Sequence, residues 1–318
     1  MLFITGIHNA SQLDHFEPSG WLGRRRRIAI DLVDDIDRLG RPAVREALFE
    51  RIVDARGAFK RTYRDRFAEF DRTLLEVWRT HAVTERPVRV LDVAVSDGST
   101  SLGLIEAFDA ATGGDFRFTA TDLDGRYLRL WRNDAPERRV ILSDRGEIVQ
   151  IVLPPFLFTR RESRYLFPVN RLLRPAAQRF AERLIEARSR GDGSIGTAEI
   201  LLFNPDFKRV LESDRRVAFQ SWNILEPWRG EPVHCLRAMN ILNPGYFDAA
   251  EMRRALRHLL GAVTSGGIIA IGSNEGAGSA VDGIVCRREG DRLRPLAATG
   301  NGFRAPAALE SVVLPTPA

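Results

Sequence analysis

The chain has 318 residues and a formal net charge of +5, with 44% hydrophobic and 28% charged residues. This length and composition suffice for a globular core that needs no disulfide bonds or metal ions to stabilise it. The chain is long enough for one large domain or two smaller ones. The two cysteines, Cys235 and Cys286, lack the paired spacing of a disulfide framework or a thiolate zinc site, so we expect a cytoplasmic protein. No apolar stretch approaches the roughly 18 residues of a membrane span, and the first residues do not resemble a secretory signal.

Basic residues dominate the charge, and all but two of the 47 are arginines. This bias is typical of a solvated, arginine-rich surface. The one basic run, residues 24–27, is not interleaved with the aromatic residues of a nucleic-acid surface, so nucleic acid is disfavoured as a partner.

The N-terminal part is predicted to be helical. Residues 1–22 contain several breakers and are expected to be irregular, but apolar steps of three and four then predict helices over 28–39, 44–55 and 59–78. The third helix carries an aromatic stripe that is more typical of a core than of a cofactor site. We therefore predict an N-terminal helical segment over 1–86.

The pattern changes to alternating strands and helices after Pro87. The buried strand 88–93 precedes a helix over 100–108, and the strand 116–121 precedes a helix that we expect to begin near Tyr127, Leu128 and Trp131. Such alternation predicts a parallel sheet with right-handed crossovers.

A less regular block, at about 139–212, is predicted to be an insertion that contains a hairpin over 139–153 and a helix over 172–185. Strands and helices alternate again afterwards. We expect strands at 217–220, 233–237 and 268–271, a helix over 247–260, a turn at Gly266-Gly267, a final hairpin around Gly290-Asp291 and a loose tail after Pro306.

The segment from Asp92 to Thr100 joins a strand to a helix through small residues. Small side chains at Ala94, Ser96 and Gly98 allow a ligand to approach the backbone, and the helix N-terminus offers N–H groups to it. Asp92 is placed to meet a cationic amino group. The segment is neither a dinucleotide fingerprint nor a phosphate-binding P-loop, and a tight turn without a ligand stays an alternative.

A second acidic segment ends the next strand. Asp122 follows the glycine loop by about 20 residues, where a carboxylate accepts hydrogen bonds from ribose hydroxyls. Asp124 is expected instead to cap the helix beginning near Arg126.

These segments resemble those of a known family. The residues Leu-Asp-Val-Ala-Val-Ser-Asp-Gly at 91–98 resemble motif I of class I S-adenosyl-L-methionine-dependent methyltransferases, with Ala94 and Ser96 where that motif has glycines. The same loop and the segment 120–124 are similar to those of the chemotaxis receptor (CheR-type) methyltransferases. Further similar segments follow in the same order, at 204–227, 235–237, 246–248 and 266–272.

The resemblance implies an α/β fold: a Rossmann-like, mostly parallel seven-stranded sheet with helices on both faces, over 87–318. It also implies S-adenosyl-L-methionine as cofactor and S-adenosyl-L-homocysteine as product. The implied cofactor contacts are Asp92, Ala94, Ser96, Gly98, Asp122, Leu123, Asn223, Ile224 and Arg237. Tyr246 is implied near the transferred methyl group, although a turn role for Asn223 and a core role for Tyr246 stay open.

The acceptor is expected to be a small molecule or a protein carboxylate. The family's Arg-Asn pair is not kept, since Ala238 follows Arg237, so a receptor glutamyl group does not carry over directly. A strict receptor methyltransferase would dock its partner on the N-terminal helices. A non-catalytic cofactor- or partner-binding module is the other alternative. A nucleic-acid methyltransferase is disfavoured because the segment 243–246 lacks a second proline.

The five histidines show no metal-ligand spacing, so no metal is expected. His234, on the predicted fourth strand, is expected to be structural.

Overall fold

A computed structural model describes residues 3–49, 66–81, 85–159, 168–274 and 280–303. The described residues of 1–61 and 126–202 form one compact unit, and those of 62–125 and 203–318 form another. Within the described ranges, no helix combines the length and the apolar content needed to cross a membrane.

The described residues contain nine helices and twelve strands. The helices are α1 (Ala10–Asp14), α2 (Gly20–Arg25), α3 (Val33–Arg38), α4 (Pro42–Phe49), α5 (Ala68–His81), α6 (Ser99–Thr112), α7 (Pro168–Ser189), α8 (Pro205–Ser213) and α9 (Ala249–Ala262). The strands are β1 (Val88–Val93), β2 (Phe116–Asp122), β3 (Arg126–Arg132), β4 (Ala135–Ser143), β5 (Ile148–Leu153), β6 (Phe156–Thr159), β7 (Ile195–Leu201), β8 (Val217–Ser221), β9 (Val233–Met239), β10 (Val263–Ser273), β11 (Asp282–Glu289) and β12 (Arg292–Thr299). A 3₁₀ turn at Ile30–Leu32 precedes α3.

A mostly parallel sheet of seven strands forms the second unit, in the order β12-β11-β10-β9-β1-β2-β8. The pairs among β8, β2, β1, β9 and β10 are parallel, whereas β11 is antiparallel to both neighbours. Strand order reverses between β1 and β9, which is the switch point of a doubly wound sheet. The predicted seven-stranded, mostly parallel α/β sheet is confirmed.

The helices of this unit form because one face of each is apolar. In α5, Phe67 before the helix and Phe70, Leu74 and Trp78 within it are buried, so the aromatic stripe is core in this part. The helix α9 begins with a capping box in which Asp248 and Glu251 each accept from the other's backbone N–H. Its buried residues pack in one cluster with residues of β9 and β10.

An antiparallel sheet of five strands, in the order β6-β5-β4-β3-β7, forms the first unit. Successive residues of β4 face opposite sides: Ile141 packs with the N-terminal helices, whereas Val140 and Leu142 pack with α7. Both faces are thus covered, which explains why these strands are apolar on both sides. The predicted hairpin over 139–153 is confirmed, since β4 pairs with β5 around a turn at Gly146.

The helix expected to begin near Tyr127 is wrong, because Arg126–Arg132 is strand β3. Tyr127 pairs with Ser143 of β4 and with Ile200 of β7. The apolar segment is too short to distinguish the periodicity of a helix from that of a strand. Pairing with a strand on each side determines that it is a strand. Asp124 therefore caps no helix.

Two smaller expectations also differ. Residues 3–22 are irregular only in part: α1 begins after Asn9, whose side chain accepts from the backbone N–H of Gln12, and α2 begins at Gly20. Gly266 and Gly267 do not form a turn between elements but lie inside β10. The register of β10 against β9 shifts there, and Gly266 has a φ angle of +82°. The division into a segment over 1–86 and a domain over 87–318, with an insertion at about 139–212, stays a prediction.

Some expectations lie outside the described residues. These are the apolar positions Ile52, Ala55, Phe59 and Tyr63 of the second and third predicted helices, and the tail after Pro306.

Candidate functional site

One edge of the seven-stranded sheet collects the segments that carried the sequence resemblance. Because β1, β2, β8 and β9 are parallel, the segments that follow them meet at the same edge. Val93 lies opposite Thr121 on one side and Ala238 on the other. Ligands of doubly wound sheets bind outside this carboxyl edge, at the switch point. Every predicted site residue lies on or directly after one of these strands, except Tyr246, which precedes α9.

The loop after β1 has an unusual backbone. Ala94, Ser96 and Gly98 have φ angles of 60°, 58° and 79°, so the left-handed conformation recurs at alternate residues. A residue with a Cβ adopts this conformation at a cost of roughly 1–2 kcal/mol. The loop therefore keeps the backbone that favours three glycines, although only Gly98 is one.

Asp122, at the end of β2, holds this loop. Its Oδ2 accepts from the backbone N–H of Ser96 at 2.7 Å and its Oδ1 from that of Asp124 at 3.1 Å. Its backbone carbonyl accepts from the N–H of Trp222. Asp122 thus ties together the segments after three strands. Its carboxylate is half-buried.

The space beside Gly98 is filled by a side chain. A Cβ on Gly98 would lie 2.2 Å from Cδ1 of Phe207, so the ring from α8 packs directly on the glycine. The buried Asp97 completes this side of the loop: its Oδ1 accepts from the N–H of Ser99 and its carbonyl from that of Asn204. On the side facing α8, Gly98 therefore makes room for Phe207, and its contact with a ligand stays a prediction.

Asp92 and Arg237, both expected to touch a cofactor, bind each other in the interior. Arg237 donates to the two carboxylate oxygens of Asp92 at 2.9 and 2.6 Å, and Asp92 is 2% exposed. Oδ2 of Asp92 also accepts from the hydroxyl of Ser101 at 2.7 Å. These oxygens are occupied by protein donors, because β1 and β9 are neighbours and place Asp92 directly beside Arg237.

A third charged residue completes this cluster. Arg237 donates to Oδ2 of Asp71, on α5, at 2.5 Å. Oδ1 of Asp71 is buried without a hydrogen-bond partner among the described residues. Burial raises the pKa of the Asp71 carboxyl, despite the opposing effect of Arg237. Burial opposes the charge of Arg237, yet the two aspartates raise the pKa of this guanidinium above its usual value.

The segment after β8 contains the residues predicted to meet adenine. The side-chain oxygen of Asn223 accepts from the N–H of Leu225 at 3.1 Å, which is the turn role left open by the sequence. Ile224 is buried, and its carbonyl lies 3.0 Å from Nδ1 of His258. Asn223 itself is half-buried, and its Nδ2 donates to Oε1 of Glu226 at 3.4 Å.

Leu123 and Tyr246 are both half-buried. Leu123 lies directly after Asp122. Tyr246 packs against the core cluster that includes α9, and its N–H donates to the carbonyl of Asn243.

His234 and Cys235 lie inside the sheet. Nδ1 of His234 accepts from the N–H of Arg89 at 3.1 Å, and burial lowers the pKa of this histidine. Burial raises the pKa of the Cys235 thiol. Both residues have structural roles. Among the described residues, no group of three His, Cys, Asp or Glu side chains is arranged to hold a metal ion.

Sequence reasoning missed Asp71, Ser101 and Phe207. Asp71 and Ser101 lie on helices that bring them to Asp92 from other parts of the chain, and no local pattern marks such contacts. The only signal was an aspartate inside the apolar stripe of α5, between Phe70 and Leu74.

No family model matches this sequence, and no curated protein matches it. Solved structures of S-adenosylmethionine-dependent methyltransferases are similar to it at low identity. The sugar N-methyltransferase KedS8 from a Streptoalloteichus species is 15% identical over 71% of this chain and 62% of its own, with a TM-score of 0.30. N-methyltransferase NodS from Bradyrhizobium japonicum, in complex with S-adenosyl-l-homocysteine, is 12% identical over 72% of both chains, with a TM-score of 0.31.

A third such structure is an S-adenosylmethionine-dependent methyltransferase from Clostridium acetobutylicum, 10% identical over 77% of this chain and 78% of its own, with a TM-score of 0.31. The chain spans about three fifths of the length of KedS8. At these values the resemblance supports no inference about activity, and the strand order of the sheet itself defines the fold.

Proposed function

We propose that this protein binds S-adenosyl-L-methionine at the carboxyl edge of its seven-stranded sheet and transfers the methyl group to an acceptor. The observation that carries the proposal is the loop 94–98. It repeats the left-handed conformation at three alternate residues, at the switch point, and Asp122 of the neighbouring strand holds it there. Strained backbone of this kind persists where the surrounding structure maintains it, and it clusters at functional sites.

The donors and acceptors at this edge fit the adenosine part of the cofactor. A carboxylate at the position of Asp122 is of the type that accepts hydrogen bonds from ribose hydroxyls, and the amide of Asn223 is of the type that pairs with an adenine edge. Oγ of Ser96 is buried without a partner among the described residues, which suits a site completed by a polar ligand. Leu123, Ala94 and Ile224 would supply apolar contact.

Asp92 and Arg237 fit a different role from the one expected. Since each is bound to the other, we propose that they position the end of β1 and hence the loop, without touching the cofactor. Gly98 likewise serves the backbone conformation and the packing of Phe207.

The bound cofactor supplies a methyl group that is already activated on a sulfonium. The residues of this chain therefore need only to orient the acceptor and exclude water, which is catalysis by proximity. A carboxylate acceptor requires no general base. Tyr246 is proposed to lie beside the reacting groups from its place before α9.

The CheR-type relationship belongs to the same proposal and is supported by the ordered sequence segments alone. We extend it to the cofactor half of the site and leave the acceptor as a small molecule or a protein carboxylate. Two buried free cysteines support a cytoplasmic setting.

Calorimetric titration of the full chain with S-adenosyl-L-homocysteine tests the proposal. We expect binding that weakens about tenfold or more in Asp122→Asn, the cost of lost hydrogen bonds to a charged group. The matched control is Asp115→Asn, which removes an exposed carboxylate just before the opposite end of the same strand and should bind as the wild type does. A folded wild-type chain that releases no heat contradicts the proposal.

A second candidate is a cofactor- or partner-binding module without transfer activity, favoured by the closed Asp92–Arg237 pair. Incubation with methyl-labelled S-adenosyl-L-methionine and pools of small molecules and proteins separates the two. Labelled acceptor indicates an enzyme, whereas binding without any transfer indicates the module.

A further inference from the structure

A buried carboxylate that the proposed function does not use lies beside the switch point. It belongs to Asp71, in the first turn of α5, and this residue is 8% exposed. Its Oδ2 accepts from Arg237 at 2.5 Å, and Arg237 lies opposite Asp92 near the end of β1. The loop 94–98 begins two residues after Asp92. Only one arginine side chain therefore separates Asp71 from the strand end at which the proposed site begins.

The hydrogen bonds of this cluster leave one carboxylate oxygen without a donor. Arg237 donates to both oxygens of Asp92 and to Oδ2 of Asp71, and the hydroxyl of Ser101 donates to Asp92 as well. Oδ1 of Asp71 is buried and has no hydrogen-bond partner among the described residues. A buried acceptor in this state costs free energy that a donor on a ligand recovers.

The charges of the cluster are also unequal. The carboxylates of Asp71 and Asp92 surround the single guanidinium of Arg237, so the ionised cluster has one negative charge in excess. A buried charge is costly without a partner of opposite sign, and burial accordingly raises the pKa of the Asp71 carboxyl. A ligand cation beside Oδ1 of Asp71 would neutralise the cluster and satisfy this oxygen at the same time.

Asp71 is the member of the cluster that reaches solvent. Its side chain is 12% exposed, compared with 1% for Arg237 and 2% for Asp92. The buried ring of Phe67, one helical turn earlier, lies against the same guanidinium, with 5.8 Å between the ring centre and the guanidinium carbon of Arg237. Carboxylates and aromatic faces are both groups that bind cations. Asp71 therefore offers a cation what the enclosed Asp92 does not.

We propose that Oδ1 of Asp71 binds an ammonium group of a ligand at the carboxyl edge of the sheet. The inference rests on the proposed function for its biological ligand, because the ammonium belongs either to the amino-acid part of the cofactor or to a small-molecule acceptor. Asp71 thereby takes the role that the sequence assigned to Asp92, whose oxygens are occupied by Arg237 and Ser101.

Calorimetry on the full chain distinguishes the two sources. S-adenosyl-L-homocysteine carries an ammonium, whereas its deamino analogue has hydrogen in that place and keeps the carboxylate. Benzylamine, with neutral benzyl alcohol as its control, probes the cation site in the presence of the deamino analogue. The variant is Asp71→Asn, which keeps the shape of the side chain and removes its charge. The matched control is Glu69→Gln, which removes an exposed carboxylate from the same turn of α5.

A cofactor ammonium predicts that the wild type binds S-adenosyl-L-homocysteine about tenfold or more tightly than the deamino analogue, and that Asp71→Asn loses this preference. An acceptor ammonium predicts equal binding of both nucleosides by the variant and the wild type, with benzylamine binding weakened by a similar factor in Asp71→Asn. Either result supports the site. It is overturned if Asp71→Asn binds S-adenosyl-L-homocysteine and benzylamine as Glu69→Gln does.

The comparison of ligands on the wild type needs no variant, so it stands even if Asp71→Asn does not fold. A wild type that prefers neither S-adenosyl-L-homocysteine over the deamino analogue nor benzylamine over benzyl alcohol contradicts the ammonium site. If the wild type binds neither nucleoside, the proposed function fails. Titration with benzylamine alone, and its dependence on Asp71, then still decides whether the cation site exists.

Discussion

Each compact unit buries a cluster of aspartate and arginine, but the two clusters have opposite compositions. In the first unit, one carboxylate serves two arginines: Asp31 accepts from Arg139 at 2.5 and 2.9 Å and from Arg129 at 3.2 Å. In the second unit, one guanidinium serves two carboxylates, with Arg237 between Asp71 and Asp92.

The clusters also differ in which polar atom is left unsatisfied: Nε of Arg129 in the first and Oδ1 of Asp71 in the second are buried without a hydrogen-bond partner among the described residues. Both oxygens of Asp31 accept from arginine, and Arg139 donates in addition to the carbonyls of Glu137 and His8. In the other cluster, Oδ1 of Asp71 has no partner among the described residues, and burial raises the pKa of Asp71. In the first cluster the carboxylate is therefore fully bound by cations. The second carries an excess of buried negative charge beside the proposed site, so its effect on stability depends on protonation.

The largest effect is expected for Arg237→Met. It leaves two buried carboxylates without their cation, and breaking a buried pair in this way costs about 3–5 kcal/mol. Urea denaturation should show this loss in the free energy of unfolding of the second unit. A loss below about 1 kcal/mol would mean that the pair contributes no more than a surface salt bridge.

Arg139→Met is expected to cost less, about 2 kcal/mol. Asp31 keeps Arg129 as a partner, although the carbonyls of Glu137 and His8 lose their donor. The same denaturation experiment, followed with a probe in the first unit, measures it. If Arg139→Met were as damaging as Arg237→Met, the difference in composition between the clusters would have no energetic meaning.

Ser101→Ala removes the hydroxyl that donates to Asp92. Because the acceptor is charged and buried, the expected loss is about 1–2 kcal/mol. Ser194→Ala, before β7, is the control: its hydroxyl also hydrogen-bonds a carboxylate, that of the exposed Asp192. The substitution should change the free energy of unfolding by less than about 0.5 kcal/mol. Equal effects of the two substitutions would show that Asp92 does not depend on this donor.

Asp71→Asn has the smallest effect at low pH and a growing one as the pH rises. The folded-state pKa of Asp71 lies above the unfolded value of about 3.9. The stability it contributes is therefore present below that unfolded value and is lost as the pH rises through the folded pKa. The asparagine mimics the protonated form, so the variant should gain stability relative to the wild type with increasing pH. Urea denaturation of both proteins at a series of pH values checks this. A difference in the free energy of unfolding that stays constant with pH would contradict the raised pKa.

Much of the second unit was predictable because its patterns are local. The strand 88–93 has the same ends in the structure as in the prediction. The helix predicted over 247–260 begins where the capping box of Asp248 and Glu251 forms. Strand β3 was not predictable, because its apolar residues suit a helix as well and its partners β4 and β7 lie further along the chain. Pairing between distant segments determined that element.

The candidate site shows the same division. The sequence located the loop 94–98 and Asp122, since small residues and a carboxylate after strands are local signals. It did not reveal that Asp92 is closed by Arg237, or that Phe207 packs on Gly98, because each contact joins parts of the chain separated by more than 100 residues.

The most direct test of the account is a crystal structure of the full chain with S-adenosyl-L-homocysteine. We predict that the nucleoside lies over the carboxyl edge of the seven-stranded sheet, with its ribose hydroxyls bound to Asp122 and its base beside Asn223 and Ile224. A nucleoside bound elsewhere would contradict the proposed function. So would a complex in which Asp122 still binds only the loop 94–98 and makes no contact with the ribose.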